Sequence, residues 1–212
     1  MSAAFPDLRR RLVAILRGLR PDEALAAGSA LFEAGIEAIE VPLNSPEPFR
    51  SIELLAGALP PAALVGAGTV LTPADVERLD RAGGRLLVSP NIDGGVLDRA
   101  RAFGMVTMPG VFTATEAFRA LAAGASALKF FPASVLGPKG IAALRAVLPA
   151  DTVIAAVGGV SEKDFVDYAK AGISTFGLGS SLYSPGMDVA LLRRRAAAAV
   201  EAWDAVFAGH VE

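Results

Sequence analysis

A lysine set inside an apolar run carries the most chemical consequence in this sequence. Lys129 stands in Leu128-Lys129-Phe130-Phe131-Pro132, where taking an ammonium out of water is costly. Desolvation favours the neutral amine and lowers its pKa. At an ordinary pKa, roughly one lysine in 2,500 is free amine at pH 7. A drop of about three units makes a large fraction nucleophilic, the condition for Schiff-base formation with a ketone. The competing reading is a side chain that snorkels to solvent from a strand end.

Glu40 is the natural partner, late in the apolar run Ala38-Ile39-Glu40-Val41-Pro42. Near Lys129 it would act as general acid–base; alternatively it forms a structural ion pair with Arg17 or Lys129. Strand alternation places Glu37 on the opposite face from Glu40 and reads it as a surface carboxylate. Arg17 can grip a carboxylate with two parallel bonds, or serve in a rim ion pair. Thr69 offers a hydroxyl to a substrate oxygen, or caps the helix that follows. Gly158-Gly159 and Gly179-Ser180 let backbone N–H groups approach a phosphate, although glycines also serve plain tight turns. Zinc chemistry wants several imidazole or thiolate ligands. The chain has one histidine, His210, in a C-terminal tail (Gly209–Glu212) that reads as peripheral, and no cysteine. Its carboxylates show no compact ligand spacing, which leaves only a loosely held Mg²⁺ open among metals.

These residues need a scaffold that brings distant segments to one rim. Short β-type runs alternate with helical stretches throughout: Leu12–Arg17, Ile36–Val41, Leu64–Ala67, Leu86–Ser89, Met105–Met108, Ala127–Phe131, Val153–Val157 and Thr175–Leu178. Between them lie Ala/Leu/Glu/Arg-rich segments with good starts at Pro21, Thr72 and Ser161, and Ala-Gly stops at Gly35, Gly83, Gly124 and Gly172. Strand-then-helix units recurring every roughly 20–28 residues predict parallel βαβ units. Eight of them predict an α/β fold, a TIM (β/α)₈ barrel, in a single domain over residues 1–212. A flavodoxin-like sheet is the rival, but it needs only five or six strands. A short helix over Phe5–Arg11 is expected to cross the barrel floor, and a long helix over Asp188–Phe207 to close the fold, with Leu191, Leu192, Val200, Trp203 and Phe207 as its buried stripe. Active sites of such barrels lie at the C-terminal strand ends. Arg17, Glu40, Thr69, Lys129, Gly158, Gly159, Gly179 and Ser180 all fall there.

Composition narrows the partners. Of 212 residues, 53% are hydrophobic, and 20 Lys+Arg against 22 Asp+Glu leave a net charge of −2. That balance gives no reason to expect nucleic acid, so an anionic ligand must be held locally. No apolar run approaches the roughly 18 residues of a membrane span, and the N-terminal residues do not read as a signal peptide. A cytoplasmic location with no membrane partner is the expectation.

Three segments carry a family resemblance in order and spacing: Gly66-Ala67-Gly68-Thr69-Val70-Leu71, Lys129-Phe130-Phe131-Pro132-Ala133 and Val157-Gly158-Gly159-Val160. From about Leu12 to Tyr183 the chain resembles the Schiff-base aldolases of 2-keto-3-deoxy-6-phospho sugar acids, the KDPG/KHG aldolase family. Ala14-Ile15-Leu16-Arg17-Gly18, the run Glu40 to Pro46 and Ser89-Pro90-Asn91-Ile92 resemble its galactonate branch. The gluconate branch typically has arginine where Asn44 stands here. The resemblance implies Lys129 as Schiff-base lysine, Glu40 as general acid–base, and Arg17 at the substrate carboxylate with Thr69 beside it. It places Gly158, Gly159, Gly179 and Ser180 around the phosphate. It also implies pyruvate as a product, no cofactor and a homotrimer. Rival readings at this point are the gluconate or 4-hydroxy-2-oxoglutarate substrate, an isomerase barrel using Lys129 for proton transfer, and a non-catalytic sugar-phosphate binder.

Overall fold

The computed structural model describes residues 3–207; His210 and the tail from Gly209 lie outside the described residues. Nine parallel strand segments form one sheet: β1 (Leu12–Ile15), β2 (Ala38–Pro42), β3 (Leu64–Gly68), β4 (Leu86–Val88), β5 (Val106–Met108), β6 (Gly110–Val111), β7 (Leu128–Phe130), β8 (Ile154–Val157) and β9 (Thr175–Leu178). Their order is β5-β4-β3-β2-β1-β9-β8-β7-β6. β5 and β6 are two halves of the fifth barrel strand, parted at Pro109, which has no N–H to give a ladder. The wall closes there: Ser126 and Ala127 donate to the Thr107 carbonyl at 3.1 and 3.0 Å, and Lys129 to that of Pro109 at 3.0 Å. The fold is thus the predicted (β/α)₈ barrel, with its fifth strand longer and more broken than the sequence suggests.

The strands are buried on both faces, as parallel barrel strands must be. Alternation divides their side chains between two cores. Val13, Ile15, Ala38, Leu64, Leu86 and Val157 belong to the cluster inside the barrel. Leu12, Ala14, Ile39, Val41, Val65 and Leu87 face the helices instead. The helical layer comprises α1 (Pro21–Ala34), α2 (Pro48–Ala58), α3 (Pro73–Arg81), α4 (Gly94–Ala102), α5 (Ala114–Ala122), α6 (Ala133–Arg145), α7 (Phe165–Lys170) and α8 (Val189–Phe207). Thr72 caps α3 through a bond from the Asp75 N–H, and α1 stops at Gly35 with φ 100°, a left-handed turn that a Cβ would strain.

Two details differ from expectation. Phe5–Arg11 is not helical. Pro6 lacks a donor, and the Arg9 N–H bonds to the Glu37 carboxylate at 2.9 Å, so the segment runs irregularly while Leu8 plugs the barrel floor. The buried stripe of α8 is Leu192, Ala196, Ala199, Val200 and Trp203. Leu191 and Phe207 are only half-buried; Phe207 still lies against Trp203, ring centres 5.0 Å apart. Among the described residues no helix is long and apolar enough to cross a membrane.

Candidate active site

Inward-pointing positions decide what the barrel mouth contains. On β2 they are Ala38 and Glu40; on β3, Leu64, Gly66 and Gly68; around β7, Ala127, Lys129 and Phe131. Period two fixes these sets. Below Lys129 and Glu40 the interior is filled with aliphatic side chains. Above them opens a cavity of about 670 Å³. Arg17, Glu40, Lys129, Gly158, Gly159 and Gly179 line it, together with Ser180 and, among others, Asn44, Phe131, Val157 and Tyr183. Every site residue singled out from sequence reaches this cavity except Thr69.

Lys129 is 6% exposed and Glu40 2%. Lys129 Nζ lies 4.6 Å from the centre of the Phe131 ring, a face that attracts a cation. Burial pushes the Lys129 amine below its ordinary value; Glu40 opposes that shift and Arg17 adds to it. Burial likewise pushes the Glu40 carboxyl up to about 7, against the pull of Lys129 and Arg17. Each group is thereby moved toward neutrality, the direction that suits an amine nucleophile and a proton carrier. Among the described residues no group donates a hydrogen bond to the buried Glu40 Oε2. Glu37 is also buried, at 7%, but at the opposite end of the barrel, where Arg9 Nε donates to it at 2.6 Å. The expectation of a surface carboxylate is corrected: the N-terminal segment covers it.

Arg17 sits just beyond β1, its Nη1 donating to Asn44 Oδ1 at 2.6 Å. The neighbouring Gly18 N–H donates to Ser45 Oγ at 2.9 Å. These parallel bonds hold the loops after β1 and β2 together. The sequence marks Asn44 only as a departure from the arginine of the gluconate branch; its contact with Arg17 comes from the fold.

Across the mouth, Gly158 (φ 92°) and Gly159 (φ 72°) follow β8 in left-handed conformations. A Cβ on Gly159 would lie 2.5 Å from Ser134 Oγ, so glycine is required twice over. After β9 the Leu182 and Tyr183 N–H groups both bond to the Gly179 carbonyl, closing a helical turn. The amides of Gly179, Ser180 and Ser181 precede its first closed bond, as at any helix start. Tyr183 OH donates to Glu23 at 3.4 Å; burial, then Glu23, push this phenol up to about 12. Thr69 is half-buried with φ 57°, a conformation rare for a β-branched residue. It does not line the cavity, and the cap of α3 is Thr72. Among the described residues no group of three His, Cys, Asp or Glu is arranged to hold a metal ion.

A rim so built has an amine and a carboxyl at its base, an arginine on one side and glycine amides on the other. It can take a ketone, a carboxylate and a phosphate in one extended ligand. Comparison with known proteins points the same way. Residues 8–200 match the family described as KDPG and KHG aldolase. The chain is 63% identical over 205 residues to a probable 2-dehydro-3-deoxy-6-phosphogalactonate aldolase of Rhizobium meliloti (strain 1021), covering 97% of each. It is 50% identical over 192 residues to the 2-dehydro-3-deoxy-6-phosphogalactonate aldolase of Escherichia coli (strain K12), covering 91% of this chain and 94% of that protein. A solved structure named "Native KDPGal structure" superposes with a TM-score of 0.93 at 48% identity, over 97% of this chain and 98% of that one. The chain belongs to the KDPG and KHG aldolase family, enzymes that cleave a carbon–carbon bond.

Proposed function

We propose that this aldolase cleaves 2-dehydro-3-deoxy-6-phosphogalactonate to pyruvate and glyceraldehyde 3-phosphate through a Schiff base on Lys129. The observation that carries the reading is the burial of one amine and one carboxyl at the base of a single cavity, each driven toward its neutral form. The Lys129 amine adds to the C2 ketone, and the carbinolamine loses water to give an iminium ion. Glu40 removes the C4 hydroxyl proton. The C3–C4 bond breaks, its electron pair moves toward the iminium nitrogen, and glyceraldehyde 3-phosphate leaves. The enamine then takes a proton at C3 from Glu40. Water adds to the resulting iminium and releases pyruvate and the free amine.

Arg17 holds the substrate carboxylate, the bidentate use to which a guanidinium is suited. The amides around Gly158, Gly159, Gly179 and Ser180 hold the phosphate, in loops where barrels of this kind often bind one. Thr69, which the resemblance sets beside Arg17 at the carboxylate, acts there only through the loop after β3, since its side chain does not line the cavity. The galactonate epimer is favoured by the two phosphogalactonate relatives, at 63% and 50% identity. A phosphogluconate aldolase of Treponema pallidum (strain Nichols) is 31% identical. The family resemblance adds a homotrimer to the proposal, and the lack of cysteine in the sequence adds a cytoplasmic location. Sedimentation equilibrium tests the first: a mass other than three chains removes it.

The experiment is reduction with sodium borohydride in the presence of pyruvate, followed by peptide mapping. A reduced adduct on Lys129, absent in Lys129→Ala, is the expected result. Turnover surviving in a folded Lys129→Ala would sink the mechanism. Rates on the two C4 epimers then test the substrate, a preference for the gluconate epimer overturning the galactonate assignment.

A further inference from the structure

We propose that Gly68 is a positioning residue, the seat on which the Glu40 carboxyl rests. The proposal deepens the reading above and rests on Glu40 being its acid–base group. In the ladder between β2 and β3, Glu40 pairs with Gly66 and Pro42 with Gly68. Gly68 is therefore the diagonal neighbour two residues ahead of Glu40 on the same face, within reach of a long side chain that leans along its strand. A Cβ on Gly68 would lie 1.9 Å from Glu40 Oε2, 2.4 Å from Cδ and 2.5 Å from Oε1. All three carboxyl atoms occupy the space that any other residue would fill. The carboxyl thus stands over Gly68 where a side chain of β3 would otherwise begin.

Backbone conformation gives no second reason for this glycine. The glycines with positive φ include Gly158 and Gly159 but not Gly68, so alanine is allowed there by φ. At Gly66, by contrast, the nearest atom belongs to the sheet itself: a Cβ there would meet the Leu86 carbonyl oxygen at 1.8 Å. At Gly68 the three nearest atoms are all from Glu40. The Gly68 carbonyl is engaged by the Leu43 N–H at 2.8 Å, and that bond holds the backbone under the carboxyl. Filling the seat must lift Glu40 off β3, and a shift of about 1 Å at a catalytic group is enough to cost turnover heavily. The sequence run Gly66-Ala67-Gly68 thus holds two glycines with different duties, one for the ladder and one for the acid–base group.

The test is a cycle of Gly68→Ala, Glu40→Ala and the double variant, each checked for melting temperature. In the parent background Gly68→Ala should lower kcat at least about tenfold, a part of the usual worth of an acid–base group, while KM stays within about threefold. Pyruvate should still be trapped on Lys129 by borohydride. The pH midpoint of that trapping should move in the same direction as in Glu40→Ala, because both variants take the carboxylate away from the amine. In the Glu40→Ala background the seat is empty, so adding Gly68→Ala should change kcat by less than about twofold. If Gly68→Ala alone folds poorly, the double variant should recover its melting temperature. Full kcat in Gly68→Ala, an equal loss in both backgrounds, or a double variant as unstable as the single one would overturn the proposal while leaving Glu40 in its role. Full kcat in Glu40→Ala would instead overturn the role of Glu40 and, with it, that of Gly68.

Discussion

Arg17 is held by Asn44: the guanidinium donates to the side-chain oxygen at 2.6 Å across the gap between the first two strand ends. This contact sets the direction of the only arginine that lines the cavity among the described residues. Asn44→Ala leaves the charge and removes the tether. A hydrogen bond to a charged group is worth about 1.5–3 kcal/mol when buried, and solvent reduces that here. A rise in KM of about fivefold, near 1 kcal/mol, is expected, with kcat within about twofold. Steady-state kinetics checks it. A fall in kcat at constant KM would show that Arg17 does not act through ground-state binding of the carboxylate.

The Glu40 carboxyl, pushed up to about 7 by burial, makes stability depend on pH. Its folded pKa lies above the unfolded one of 4.5, so between these values the native state binds more protons than the unfolded chain. Its contribution is fully present below about 4.5 and is lost as pH rises through about 7. Glu40→Gln removes this dependence. Stability of the parent minus that of the variant should fall by about 3 kcal/mol between roughly pH 4 and pH 8, read from urea midpoints. In activity, Glu40→Gln should lower kcat by about 10²–10⁴. A difference in stability that rises with pH would show that Glu40 is held ionised.

What the sequence made legible was chemistry placed where its surroundings are uniform. Lys129 and Glu40 stood out because each interrupts an apolar strand, and the same burial that made them conspicuous shifts their pKa values. Phe131 was within reach too, since it shares the Lys129 face by alternation. Gly68 was not, because its requirement is set by a side chain on the neighbouring strand in a register that no local pattern reveals. The tether role of Asn44 goes unseen, and Glu37 reads wrongly as a surface group, for a related reason. Their partners, Arg17 and Arg9, are 27 and 28 residues away. The break at Pro109 falls at the seam of the barrel, where the β5 half pairs with β4 and the β6 half with β7; periodicity sees one strand and its end.

Gly159→Ala separates phosphate binding from amine chemistry. The new Cβ would meet Ser134 Oγ at 2.5 Å and Cβ at 2.7 Å, at a φ of 72° that alanine resists. The loop after β8 must shift, and its amides move with it. For the phosphorylated substrate KM should rise about tenfold or more, the worth of one charge-assisted hydrogen bond. Borohydride trapping of pyruvate, which has no phosphate, should keep its parental rate. Equal damage to both would mean that the loop supports Lys129 rather than a phosphate.

Glu37 and Glu40 lie on one segment three residues apart, yet they face opposite ends of the barrel and have opposite environments. Among the described residues Glu40 Oε2 has no hydrogen-bond donor, whereas Glu37 accepts from both the N–H and the Nε of Arg9, at 2.9 and 2.6 Å. Those bonds draw the N-terminal segment across the floor and seat Leu8 on the interior cluster. Glu37→Ala should therefore cost stability and spare catalysis, the reverse of Glu40→Gln. Arg9 is largely exposed, so its charge adds little. The loss comes mainly from the unpaired Arg9 N–H and the loosened Leu8, about 1–3 kcal/mol together. Urea denaturation measures the first effect and kcat the second. A variant with parental stability would show that the floor segment is held by Leu8 and Phe5 packing alone, and a variant with impaired kcat would mean that the floor and the mouth of the barrel are coupled.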